Sequence, residues 1–338
     1  MKNVLFSAAA LTALLAAPLA AANGPIDGKL YGKINVSVVN SHSESTDTWK
    51  LNSNASRIGL KGSTKLSEGL TVFYKTEFEV AVDDGSNDIK KYTVEIDETT
   101  SIEVKDTSTF KQRNIYAGVK GSFGSVLAGK NDTPTKLAQK KIDLFNDLEG
   151  DIKKTFAGEN RMSNIIAYTT PKYGNFSATY AVMPGEGKDD EGEDIASDVD
   201  KDRGIADSKS YSINYSNGDL YVAIAADSDV DEYDLLRVVS QYQFDAWQFG
   251  LMYQESEKVD GTVDESGYFA SAAYKSDNIT YKAQYGNNEN DTDGSDKTTL
   301  SVGADFKLAK NTKSFVFFTD NEDSSSTKTF GLGLEHKF

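Results

Sequence analysis

The sequence has no cysteine, only two histidines, five prolines and five arginines. Without cysteine there is no disulfide, no thiolate metal site and no cysteine nucleophile. His42 and His336 are too few for a histidine-rich metal centre. A Ser–His–acid hydrolase would have to use His42, in the first connection, or His336, on the apolar side of the last alternating segment. No catalytic, metal-binding or cofactor-binding set is therefore expected. Long apolar runs are missing beyond the N-terminus, and a membrane-spanning helix needs about 20 mostly apolar residues; a multi-span helical bundle is excluded. Basic surface is also short: the net charge is −16, which argues against nucleic acid as a partner, since phosphate binding needs cationic surface.

What is present points to sheet. Glycine counts 27, tyrosine 17 and phenylalanine 17, and aromatic residues favour strands. Residues 1–22 read MKNVLFSAAALTALLAAPLAAA: a lysine, a short apolar stretch, then small residues. That is the pattern of an export leader. Residues 23–338 are expected to form one domain.

That domain alternates almost throughout. Leu30, Gly32, Ile34, Val36 and Val38 share one parity, and Lys29, Tyr31, Lys33, Asn35 and Ser37 the other. The same pattern runs through Trp247, Phe249, Leu251 and Tyr253, and through Phe330, Leu332, Leu334 and Phe338. Side chains of a strand point alternately to opposite faces, so each strand has one greasy and one wet face. A soluble antiparallel sandwich would also alternate, but here short and long connections take turns. Short ones are 66–69, 120–124, 172–175, 217–218, 245–246 and 310–311; long ones are 83–108, 131–160 and 184–208. Short inner turns and long outer loops are the asymmetry of outer-membrane barrels. Counting strands gives sixteen, at 28–40, 47–63, 69–82, 107–120, 124–131, 161–172, 175–183, 209–217, 219–227, 232–245, 246–257, 265–276, 277–287, 297–309, 311–319 and 328–338. The expected fold is all-β, a transmembrane antiparallel 16-stranded β-barrel, wide enough for an aqueous channel.

Within 131–160 the period shifts from two to about 3.6. On a helical wheel Ala138, Ile142, Phe145 and Leu148 form one stripe, and Lys136, Lys140, Asp143 and Asp147 the opposite one. Two placements fit a short helix of this kind. It could fold inward, resting its apolar stripe on the wall and offering Asp143 and Asp147 to the lumen, or it could lie outside with a solvated face. Of the five arginines, Arg57, Arg113 and Arg161 fall on the polar parity of strands near this connection. Lys61 and Lys75 share that parity. An arginine facing lipid at mid-membrane costs about 2–4 kcal/mol, so the lumen is the favoured side. Wall cations facing loop carboxylates would set a field across the narrowest section and bias which ions pass.

Several segments resemble those of the general Gram-negative porins, the trimeric sixteen-stranded type. They are Gly28–Gly32, Ser56–Gly62, Arg113–Val119 followed by Phe123–Lys130, Arg161–Tyr168, Gly303–Thr312 and Gly331–Phe338. The resemblance covers nearly the whole domain. It implies that Arg57, Arg113 and Arg161 are constriction arginines, that 131–160 is an inward-folded third loop carrying a short helix, and that the terminal aromatic Phe338 is the signal for outer-membrane assembly. It implies a homotrimer in contact with outer-membrane lipid and lipopolysaccharide. The acidic Pro-Glu-Phe-Gly-Gly-Asp loop motif of the enteric members is absent, so the acids facing the arginines are chosen from the loop: Asp143, Asp147 and Glu149. The acidic stretch 186–202 reads as a solvated charge run. Acidity at the mouths would concentrate cations, so a weak cation preference is expected. The functional expectation is a passive channel for ions and small hydrophilic solutes. A structural or adhesive barrel and a substrate-specific channel stand as alternatives.

Overall fold

The structure is a computed structural model that describes residues 27–85, 88–97, 100–185 and 204–338. The leader expected at 1–22 and the acidic run 186–202 lie outside the described residues. The first part of the wall is built from β1 (Asp27–Ser43), β2 (Asp47–Ser53), β3 (Arg57–Ser67) and β4 (Leu70–Val80). A separate hairpin follows, β5 (Asp88–Asp97) and β6 (Thr100–Ser108). The wall resumes with β7 (Phe110–Gly121), β8 (Gly124–Asp132), β9 (Arg161–Thr169), β10 (Phe176–Met183) and β11 (Ser208–Asn217). It continues through β12 (Leu220–Val230), β13 (Tyr233–Phe244), β14 (Trp247–Lys258), β15 (Asp264–Ser276) and β16 (Ile279–Asn290). It ends with β17 (Asp296–Ala309), β18 (Thr312–Glu322) and β19 (Ser326–Lys337).

Every wall strand pairs antiparallel with its neighbours, and β19 returns to pair with β1, closing the cylinder. β2 and β3 are one stave broken at Asn54–Ser56, both facing β1. Counting them as one gives the sixteen staves that the alternation predicts. The break has a cause: Ser56 leaves the ladder to hydrogen-bond the backbone of Asn35, and Ala55 takes a left-handed conformation at φ 49°. The connection 83–108 differs from expectation, since it carries the β5–β6 hairpin; Tyr92 and Val94 stand in register with Val104 and Ile102.

The outward parity is apolar and exposed, for example Ile213, Leu251, Val302 and Leu332. Such a belt is stable against hydrocarbon and not against water. Aromatic residues gather at the short-turn end, where Trp247 stacks on Phe249 and meets Tyr274 at a tilt, as they do at a membrane interface. The seam closes on the last residue. Phe338 exchanges both backbone hydrogen bonds with Gly32, at 3.0 and 3.1 Å, and its ring lies over Gly32, where any Cβ would collide.

Candidate pore constriction

The connection between β8 and β9 runs inside the barrel. It opens with α1 (Pro134–Ala138), capped by the Thr133 hydroxyl, which accepts from the Lys136 N–H at 3.2 Å, with proline at the first turn. It continues as turns, and a single 3-10 turn at Ile152–Lys154 is capped by Asp151. The helix is therefore five residues long and does not extend over the apolar stripe of 138–148. The stripe is nonetheless buried. Ala138, Ile142, Ile152 and Phe156 pack on Tyr221, Ala223, Ala225, Val239, Met252 and Phe269 of the wall, and Phe145 packs on Val39, Phe315 and Phe317. The 3.6-residue spacing reports burial on one side; the loop meets that demand with turns because each of them is also fastened to the wall.

The fastenings span the lumen. Gln284 and Lys282 of β16 bond the loop at Leu144 and Gly150, Thr299 of β17 meets Thr155 at 2.8 Å, and Asn321 of β18 donates to the Glu149 carbonyl at 3.0 Å. Gly150 lies so close to Ser301 and Thr319 that a side chain there would clash. At the other arm Arg237 of β13, fully buried, pairs with Glu159 at 2.7 Å and donates to the Gln254 side chain and to the Ala157 carbonyl, each at 2.8 Å. Gly158 beside it needs φ 90°, and a Cβ there would meet Leu235.

The loop thus lies on the β11–β18 side and leaves its polar edge facing β1, β3, β4 and β7–β9. Asp147 on that edge forms ion pairs with Arg57 and, at 2.8 Å, with Lys33. Arg113 is held by two wall acids, Glu77 at 3.1 Å and Glu79 at 2.5 Å. Arg161 pairs with Asp132 at 2.9 Å and donates to Asn114 at 2.6 Å. Lys75 sits 3.2 Å from Glu77. Lys61 has no carboxylate partner among the described residues; its ammonium lies 5.0 Å from the Tyr31 ring centre.

Of the three loop acids expected opposite the arginines, Asp147 faces one. Glu149 instead accepts from the Asn52 side chain at 2.9 Å. Asp143 turns away from the lumen and caps the loop itself, accepting from the Phe145 and Ile152 N–H groups at 3.0 and 3.1 Å. Burial, with Asp151 nearby, pushes the Asp143 carboxyl up to about 7. The wheel failed for Asp143 because the helix it assumed is absent. The wall acids Glu77, Glu79 and Asp132, and the cations Lys33 and Arg237, were missed. Glu77 and Glu79 share the polar parity of Lys75, and that was the available signal.

A sequence model of the family described as Gram-negative porin matches residues 7–326. Among curated proteins, outer membrane porin protein 32 of Delftia acidovorans is 25% identical over 360 residues, covering 97% of this chain and 92% of that one. Among solved structures, an anion-selective porin from Comamonas acidovorans superposes with a TM-score of 0.72 at 19% identity, covering 93% of this chain and all of that chain. A trimer form of OmpT, an outer membrane protein of Vibrio cholerae, superposes at 0.62 with 16% identity, over 93% of this chain and 100% of that one.

Proposed function

The chain belongs to the Gram-negative porin family of outer-membrane channels, and on that premise we propose that it is a passive pore for ions and small hydrophilic solutes, with its narrowest section between the inward loop and the Arg57–Arg113–Arg161 wall. The observation that carries this reading is the loop's crossing of the lumen to Arg57 and Lys33 through Asp147. The assembly is a homotrimer seated in lipid and lipopolysaccharide, with Phe338 as its insertion signal; the trimer form of OmpT supports the first part.

The weak cation preference expected from net charge does not carry through, and we replace it with a preference for anions. The net charge of the whole chain includes acids of the outer connections, such as Asp231, Glu232, Asp260 and Asp293. Selectivity is set where the pore is narrow and screening by salt is least. There Lys33, Arg57, Lys75, Arg113, Lys136 and Arg161 face Glu77, Glu79, Asp132 and Asp147, with Glu149 beside them on the loop, an excess of one cation; the adjacent pair Lys337 and Glu335 leaves that excess unchanged. The solved anion-selective porin, by its fold, is in keeping with this sign.

The test is single-channel conductance in a planar bilayer under a tenfold potassium chloride gradient. Stepwise openings with a reversal potential on the chloride side are expected. A folded but silent barrel overturns the channel reading, and reversal on the potassium side overturns the anion preference alone.

A further inference from the structure

Between the constriction and the short-turn mouth, the wall holds a row of lysines, of which the constriction uses only Lys75. Lys29 of β1 is in direct register with Lys61 of β3, and Lys61 with Lys75 of β4. Directly opposed like charges on neighbouring strands destabilise a sheet, and here two such pairs share Lys61. All three have the parity of Arg57 and Glu77, so they face the lumen. Lys120 of β7 joins them, in register with Thr71 of β4 two positions from Phe73, whose ring its ammonium approaches to 5.8 Å.

These four side chains line one recess of about 480 Å³, together with Tyr116 and Ser125. Among the described residues no carboxylate lines it. The Lys75 ammonium is paired with Glu77 at 3.2 Å; Lys29, Lys61 and Lys120 have no carboxylate partner among the described residues. The recess therefore gathers positive charge that the protein itself leaves uncompensated, beside hydroxyl groups that can donate to an oxyanion.

We propose that this recess is a binding site for small polyvalent oxyanions, phosphoryl groups foremost, which pass the inner mouth by way of the lysine row. The inference rests on the channel reading above and adds a solute class to it. Lysine ammonium groups act as mobile point charges and suit the compact, high charge of phosphate. Lys29, Lys61 and Lys75 in register span two interstrand spacings, on the order of 10 Å, so a solute with two linked phosphoryl groups can engage more than one of them at once. A single chloride cannot, which separates binding from mere selectivity.

The experiment measures chloride current through single channels while pyrophosphate is added to the short-turn side, with succinate and inorganic phosphate as separate arms. Pyrophosphate is expected to interrupt the current at lower concentration than phosphate, and phosphate at lower concentration than succinate. In the double variant Lys61→Gln/Lys120→Gln the half-blocking concentration of pyrophosphate should rise at least tenfold. Lys258→Gln, at the outer end of β14 where Lys258 pairs with Glu232, should leave it unchanged. A conducting wild-type pore that pyrophosphate does not block overturns the site while leaving the channel standing; absence of any current strikes the channel reading instead. Equal weakening by Lys258→Gln, or no weakening in Lys61→Gln alone and in the double variant, also overturns the site. Stronger block by succinate than by pyrophosphate overturns the phosphoryl assignment.

Discussion

Arg237 is the side chain whose removal should say most about how the loop is held. Its guanidinium is fully buried, and Arg237→Met keeps the length of the stem while removing every donor. Glu159 would then be a buried carboxylate without its partner, and removing one member of a buried pair costs about 3–5 kcal/mol. The Ala157 carbonyl would fare better, since Gln254 also donates to it at 3.2 Å. The loss is local, because the barrel ladder does not pass through the loop. At about 3 kcal/mol, the population with this arm detached should rise about 150-fold. The absence of natural cysteine offers a clean assay: Ala138→Cys places one thiol on the wall-facing side of the loop, at a position only 1% exposed, and its labelling rate reads detachment. Labelling should accelerate by about two decades in Arg237→Met, with noisier open-channel current. Adding Glu159→Gln should recover most of the effect by removing the orphaned charge. Unchanged labelling and unchanged current noise in Arg237→Met would refute the reasoning, and so would a double variant as loose as the single one.

Two further outcomes follow from the same loop. Asp147→Asn removes the acid shared by Arg57 and Lys33; a unit charge about 6 Å from the ion path is worth about 0.7 kcal/mol in water-like dielectric, with opposite sign for chloride and potassium, so the chloride-to-potassium permeability ratio from reversal potentials should rise about tenfold, and less at high salt. Asp143, raised to about 7 by burial, keeps a proton in the docked loop that it would release in a detached one. Docking is therefore fully supported below about pH 4 and loses that support as pH rises through about 7. Thiol labelling of Ala138→Cys, corrected for thiolate fraction, should be faster at pH 8 than at pH 5, and Asp143→Asn should flatten that difference.

The barrel was legible because lipid imposes a period of two on every strand. Leu251, exposed, and Met252, buried, are adjacent residues sorted to opposite faces by that rule alone. Legibility fails where the loop covers the wall. On β13 both faces are apolar, with Leu236 and Val238 outward and Leu235 and Val239 under the loop, so Arg237 between them carried no visible parity. The constriction acids were sought in the loop, yet most stand on neighbouring strands; cross-strand register decides which residues meet, and parity alone does not reveal register. Arg57, Arg113 and Arg161 were legible as a lumen-facing set. Their partners depended on where Asp132, Glu77 and Glu79 fell along the ladder.

The seam at Gly32 and Phe338 has a consequence for the order of events in assembly. The two strands it joins are the first and last of the wall, so the cylinder has two open edges until they pair. An open edge is a row of unpaired backbone donors and acceptors that will pair with whatever strand is near. Closing a loose loop of some 300 residues directly would cost about 5 kcal/mol in chain entropy from length alone, but zipping hairpin by hairpin leaves only a short gap to bridge. The wall is thus mature only once β19 has paired with β1: a wall lacking either strand keeps two open edges and is a substrate for aggregation or proteolysis, so this one pairing separates a stable barrel from an exposed sheet.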